Sequence, residues 1–80
     1  MPLYYFNLKD GHESLDHEGS DLTDIHAARR EAVSLSGGVL RDGAGASLWA
    51  GEAWKLWVTD APGGKGKTFF TLSFSAVEGS

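Results

Sequence analysis

The sequence predicts an α+β domain: a four-stranded antiparallel sheet in β-β-α-β-β order, covered on one face by a single helix. Three observations predict it. Aromatic-rich stretches near both ends alternate with period two. A central stretch repeats small and aliphatic residues at spacings of three and four. Turn-forming clusters, Asp10-Gly11 and the Pro/Gly/Lys run 61–67, sit where two hairpins need them. Eighty residues make one domain, 1–80, with one modest core, and a hydrophobic fraction of 41% is too high for a disordered chain.

The elements follow in order. Leu3 to Leu8 reads as a strand, with Tyr4, Phe6 and Leu8 on one face and Leu3, Tyr5 and Asn7 on the other. Asp10-Gly11 signals a two-residue hairpin, and His12 to Leu15 is the short return strand. Asp16 to Asp21 is a polar loop. Thr23 or Asp24 can cap a helix whose stripe is Ile25, Ala28, Ala32, Leu35 and Val39. Gly37-Gly38 either ends that helix or weakens it on its way to about Arg41, because each Gly costs about 1 kcal/mol relative to Ala. Residues 42–51 form a Gly-rich connection with a helical turn around Leu48-Trp49.

Trp54 to Thr59 alternates most clearly of all. Trp54, Leu56 and Val58 face one way, and Lys55, Trp57 and Thr59 face the other. Thr68 to Phe74 is the last strand, with Phe70, Leu72 and Phe74 on one side; a loose tail follows from Ser75. The core is then the even-numbered sheet residues beneath Ile25, Ala28, Ala32 and Leu35, where small alanines let the helix approach bulky rings. With the four strands numbered along the chain, orders 2-1-4-3 and 1-2-4-3 both satisfy short connections.

Three segments, in order, carry a resemblance: Tyr4-Tyr5-Phe6-Asn7-Leu8-Lys9-Asp10-Gly11, Asp16-His17-Glu18-Gly19-Ser20-Asp21-Leu22 and Ala27-Ala28-Arg29-Arg30-Glu31-Ala32. They resemble the Y-F-x-L-x-D-G, D-x-x-G-x-x-L and A-A-R-x-E-A motifs of a family of small alphaproteobacterial domains of unknown function. Trp54 to Asp60 and Leu72 to Phe74 are similar to its W-x-x-x-V-x-D and L-x-F strands. The likeness spans nearly the whole chain and departs from the pattern at 37–51 and 61–67. It implies a bacterial, cytoplasmic protein with no assigned reaction, and it carries no catalytic residues over.

Composition narrows the function classes. The chain has no Cys, so disulfides, thiol catalysis and Cys-held zinc are excluded. Seven Lys and Arg stand against eleven Asp and Glu, a net charge of −4, and no basic stripe is present, which argues against nucleic-acid binding. No apolar run approaches the ~20 residues that cross a bilayer, and the N-terminus lacks the regions of a signal peptide; the expectation is a cytoplasmic protein with no membrane role.

Ala61-Pro62-Gly63-Gly64-Lys65-Gly66-Lys67-Thr68 fits a relaxed phosphate-loop pattern, yet that chemistry needs a helix to follow at once, and Phe69 to Phe74 alternates as a strand. The run reads as a hairpin turn. His12, Glu13, Asp16, His17, Glu18, Asp21, Asp24 and His26 are ligand types, but the Gly offset is wrong for a calcium loop, and a solvated loop with helix-start acids accounts for them. Ser20, His17 and Asp21 share one loop with no orienting partner, so no catalytic set is assigned and the protein is read as a non-enzyme without cofactor or metal.

The second sheet face carries the functional expectation. Tyr5, Trp57 and Phe69 project from it with Lys55 beside them. Three large aromatics on one open face imply a cover. Within one chain that cover would be Trp49 or the Gly-rich segment; the favoured cover is another protein, most simply a second copy in a two-fold dimer. The expected function is thus a non-enzymatic interaction or structural module that self-associates through this face. The alternatives are a nucleic-acid-linked regulator of antitoxin type and a metal-responsive module using loop 12–26.

Overall fold

The structure, a computed structural model, describes residues 2–79. It is an α+β fold with one main helix and an open antiparallel sheet. Strands β1 (Leu3–Lys9), β2 (Glu13–Ser14) and β3 (Ser20–Asp21) precede helix α1 (Ile25–Val39). A π-helical turn (Leu40–Ala44) leads into the short helix α2 (Gly45–Trp49), followed by β4 (Trp54–Thr59) and β5 (Thr68–Phe74). None of the described helices is long and apolar enough to cross a membrane.

The order across the sheet is β2-β1-β4-β5, with β3 pairing the start of β1. In the numbering of the four expected strands this is 2-1-3-4, which corrects both expected orders. The reason is burial on two faces. Tyr4, Phe6, Leu56 and Val58 are buried on the helix side, and Tyr5, Asn7 and Thr59 are buried on the other. Strands buried on both sides belong in the middle, so β1 and β4 are central neighbours, aligned Tyr5 with Thr59 through Lys9 with Lys55.

The helix side matches its sequence pattern. Tyr4, Phe6, Trp54, Leu56 and Val58 pack with Ala28 and Ala32, and Ile25, Leu35, Phe70, Leu72 and Phe74 close the margin. Each fully buried side chain of this size is worth about 1.5–3 kcal/mol. Asp24 caps α1, its carboxylate accepting the Ala27 N–H at 2.9 Å. The helix runs through Gly37-Gly38 rather than stopping there. The helical path continues into the π-helical turn and breaks there at Gly43, whose φ of 155° favours glycine.

Local details differ from expectation in three places. The first hairpin loop has three residues, since Lys9 aligns with Glu13, and Gly11 takes the positive φ within it. The 16–21 loop contributes the unexpected strand β3. The register of β4 and β5 shifts between Val58 and Thr59: Val58 aligns with Phe70 but Thr59 with Thr68, so Phe69 is the extra residue of a bulge. The 61–67 run is a hairpin turn, closed where Asp60 accepts the Lys67 N–H at 2.8 Å, and Thr68 opens β5 directly.

Candidate interaction surface

The structure does not bring the four expected contact residues into one open patch. Tyr5 is only 8% exposed. The 16–21 loop lies on its ring so closely that a Cβ at Gly19 would come within 2.8 Å of Tyr5 Cε2. Phe69, displaced by the bulge, pairs instead with the core ring Tyr4, centroids 5.3 Å apart. Trp57 is half-buried against the 61–67 turn, where a Cβ at Gly64 would sit 3.6 Å from its Cζ2. Lys55 is exposed and holds its ammonium 4.9 Å from the centre of the Trp57 ring, a cation–π contact. The cover over this face therefore comes from the chain itself, but from the 16–21 loop and the 61–67 turn. Trp49, on α2, is 67% exposed.

A polar staple holds that cover in place. Asn7 is fully buried; its amide donates among Tyr5 O, Trp57 O and Thr59 Oγ1, each at 3.2 Å, and its Oδ1 accepts the Asp16 N–H at 3.0 Å. Asp16 in turn accepts the Phe6 N–H on one carboxylate oxygen and the Glu18 and Gly19 N–H groups on the other, all at 3.0 Å. Its carbonyl accepts the Gly63 N–H at 2.8 Å, and Thr59 Oγ1 donates to Ala61 O at 2.9 Å. One side chain from β1 and one from the loop thus tie loop, turn and sheet together. Desolvation pushes the Asp16 carboxyl up, but the amides of Gly19, Phe6 and Glu18, with the nearby His17, outweigh it and hold the group below the usual aspartate value. No sequence signal singled out Asn7, which reads as one polar residue in an alternating strand. Asp16 was visible only as one acid among several ligand types. Asp16 is spent on backbone amides and Asn7 on backbone groups and the Thr59 hydroxyl, and among the described residues no three of the His, Asp and Glu side chains converge to hold a metal ion.

The two edges of the sheet are built differently. At the β1 edge, β3 pairs Leu3 and Tyr4, β2 pairs Leu8 and Lys9, and the Asp16 carboxylate takes the Phe6 N–H between them. Very short, charged edge strands of this kind resist further pairing. At the other edge, β5 runs seven residues, Thr-Phe-Phe-Thr-Leu-Ser-Phe, with no charge, proline or glycine, and pairs only β4 among the described residues. Aromatic contacts anchor it at both ends: Phe69 on Tyr4, and Phe74 on Trp54 with centroids 5.2 Å apart. Phe70, Leu72 and Phe74 are half-buried on the helix side, while Thr71 and Ser73 are exposed on the other. An uncharged strand anchored at both ends, with no pairing partner on its outer edge among the described residues, is a template for another strand. Past the bulge at Phe69, nothing on β5 blunts that edge.

No curated protein and no solved structure matches the chain. The family model for a domain of unknown function (DUF6894) matches residues 3–75, nearly the full fold from the first residue of β1 to just past β5, and the chain belongs to that family.

Proposed function

We propose that the protein is a non-enzymatic interaction module that captures an extended strand along β5. The bacterial, cytoplasmic setting implied by the sequence resemblance is part of this reading. The observation that carries it is the contrast between the two sheet edges: one closed by β2, β3 and Asp16, the other seven residues long, uncharged and open. Main-chain hydrogen bonds along such an edge supply affinity, and alternate side chains supply selectivity. The half-buried Phe70, Leu72 and Phe74 offer the apolar side of that surface, continuous with the core under α1. His12, His17 and His26 are all exposed, and the Asp16 carboxylate is occupied by backbone amides, which supports a non-catalytic reading.

The test is a titration of isotope-labelled protein with a synthetic peptide carrying the 68–74 sequence between solubilising lysines. The expected result is saturable shifts concentrated on the β5 backbone amides. Shifts centred on Lys55 and Trp57, or no saturable binding, would refute the edge reading.

A further inference from the structure

We infer that the strand captured along β5 is an acidic segment of another protein, one in which apolar residues alternate with aspartate or glutamate. The inference rests on the strand-capture reading and adds the chemistry of the captured strand.

Three observations select this partner. The first is the division of charge over the sheet. Residues 3–24, which build β1 and close its edge, carry Lys9 against six acids, a net −5. Residues 54–74, the β4–β5 hairpin, carry Lys55, Lys65 and Lys67 against Asp60, a net +2 in a chain of net −4. The open edge thus belongs to the positive part of the sheet. Asp60 is engaged within the turn, where its carboxylate accepts the Lys67 N–H at 2.8 Å. Glu52, just before β4, sits against the first hairpin, where a Cβ at Gly11 would press on its carboxylate.

The second observation is where the cations stand. No acid lies on β4 or β5. Lys55 aligns with Ser73 of β5, and its ammonium is 4.9 Å from the centre of the Trp57 ring, whose own partner on β5 is Thr71. Lys55, Thr71 and Ser73 are all exposed. At the other end Lys67 precedes β5, its ammonium 5.8 Å from the centre of the Phe69 ring. A strand added to β5 lies about 10 Å from β4, two strand spacings, and a lysine and a glutamate side chain together bridge that gap.

The third observation is the apolar row. Phe70, Leu72 and Phe74 are half-buried on the helix side and continue the core. Side chains of an added strand alternate between faces. Those on the helix side extend this row, and those on the other side meet Thr71, Ser73 and Lys55. The two faces stay distinct from Phe70 to Phe74, where β5 is regular. A second copy paired through β5 would bring two positive hairpins together and supply no acid.

The test compares three seven-residue peptides in which valine alternates with glutamate, serine or lysine. Each is titrated into isotope-labelled protein at low and high salt, with the wild type, Lys55→Glu and Lys55→Gln. All three should shift the backbone amides of Phe70 to Phe74. At low salt the glutamate peptide should bind roughly threefold or more tighter than the serine peptide, and the lysine peptide most weakly; high salt should narrow the differences. Lys55→Gln should narrow them too, and Lys55→Glu should invert the order. Lys55 is exposed and lies opposite Lys9 across the β1–β4 pair, so the charge reversal places opposite charges there and spares the fold, with circular dichroism as the check.

Equal affinities for the three peptides overturn the acidic partner and leave strand capture standing. If none of them shifts the β5 amides, strand capture itself falls. Glutamate-peptide shifts centred on Arg29 and Arg30 of α1 place the acidic contact elsewhere and overturn the inference. An order of affinities that Lys55→Glu leaves unchanged refutes Lys55 as the selecting charge. Signals of β5 that move with protein concentration alone give the edge to a second copy, and overturn the acidic partner.

Discussion

Replacing Gly37 and Gly38 with alanine should stabilise the protein. Both lie inside α1, both have ordinary helical φ, and a Cβ at either position would meet no atom within 4 Å. Neither glycine is therefore required by packing or by backbone conformation. In a helix interior each costs about 0.8–1 kcal/mol relative to Ala, through the backbone freedom lost on folding. Gly38 lines an open groove with Leu35 and Val39, where an added methyl has room. The double substitution Gly37→Ala/Gly38→Ala should then add about 1–2 kcal/mol. In a domain of this size that raises Tm by roughly 5–15 °C. Urea unfolding followed by far-ultraviolet circular dichroism would give the stability change, and a thermal scan the shift in Tm. An unchanged or lowered urea midpoint would refute the reasoning, because it would mean that the chain does not run helical through 37–38. The same result would remove the basis for placing the break in the helical path at Gly43 and not at the glycine pair.

Three further outcomes follow from the staple and the covered face. Gly19→Ala should destabilise by about 1–2 kcal/mol, since φ at Gly19 is 79° and the new carbon would press on the Tyr5 ring; a urea midpoint equal to wild type would contradict the packing of the loop. Asp16→Asn should cost about 1–3 kcal/mol at neutral pH, because the amide end turns a donor toward one of three backbone N–H groups. The Asp16 carboxyl is held below its ordinary value of 3.8, so its contribution is complete above that pH and is lost as the pH falls through the depressed value. Wild-type stability should consequently fall on acidification through that window, with a shallower fall in Asp16→Asn, which urea midpoints at neutral and acid pH would detect. Trp57→Ser should lower stability, because the ring is packed against Gly64 and Lys55, yet leave the solution mass unchanged; a switch from dimer to monomer would instead place the contact on the sheet face.

The sequence by itself determined the main elements and the inward faces of β1, α1 and β4. The period-two stripes of Tyr4-Phe6 and Trp54-Leu56-Val58, and the Ala28-Ala32 stripe, are local geometry: side chains alternate on a strand and recur every three or four positions on a helix, whatever the neighbours. The Asp24 cap and the hairpin turn at 61–67 are local too, for both depend on residues within a few positions. What only the tertiary structure decided is what covers the second face and which edge stays open. Asn7 reaches Thr59 across 52 positions, Asp16 reaches back 10 positions to Phe6, and Gly63 joins the same loop from the far hairpin. None of these leaves a periodic trace. A single bulge at Val58/Thr59 moved Phe69 from the company of Tyr5 and Trp57 to that of Tyr4, because one inserted residue reverses the facing of a strand on one side of it. The aromatic load of the sequence gave no sign of which strand would lie at the margin; the pairing of the folded sheet puts β5 there, with β4 as its one neighbouring strand among the described residues.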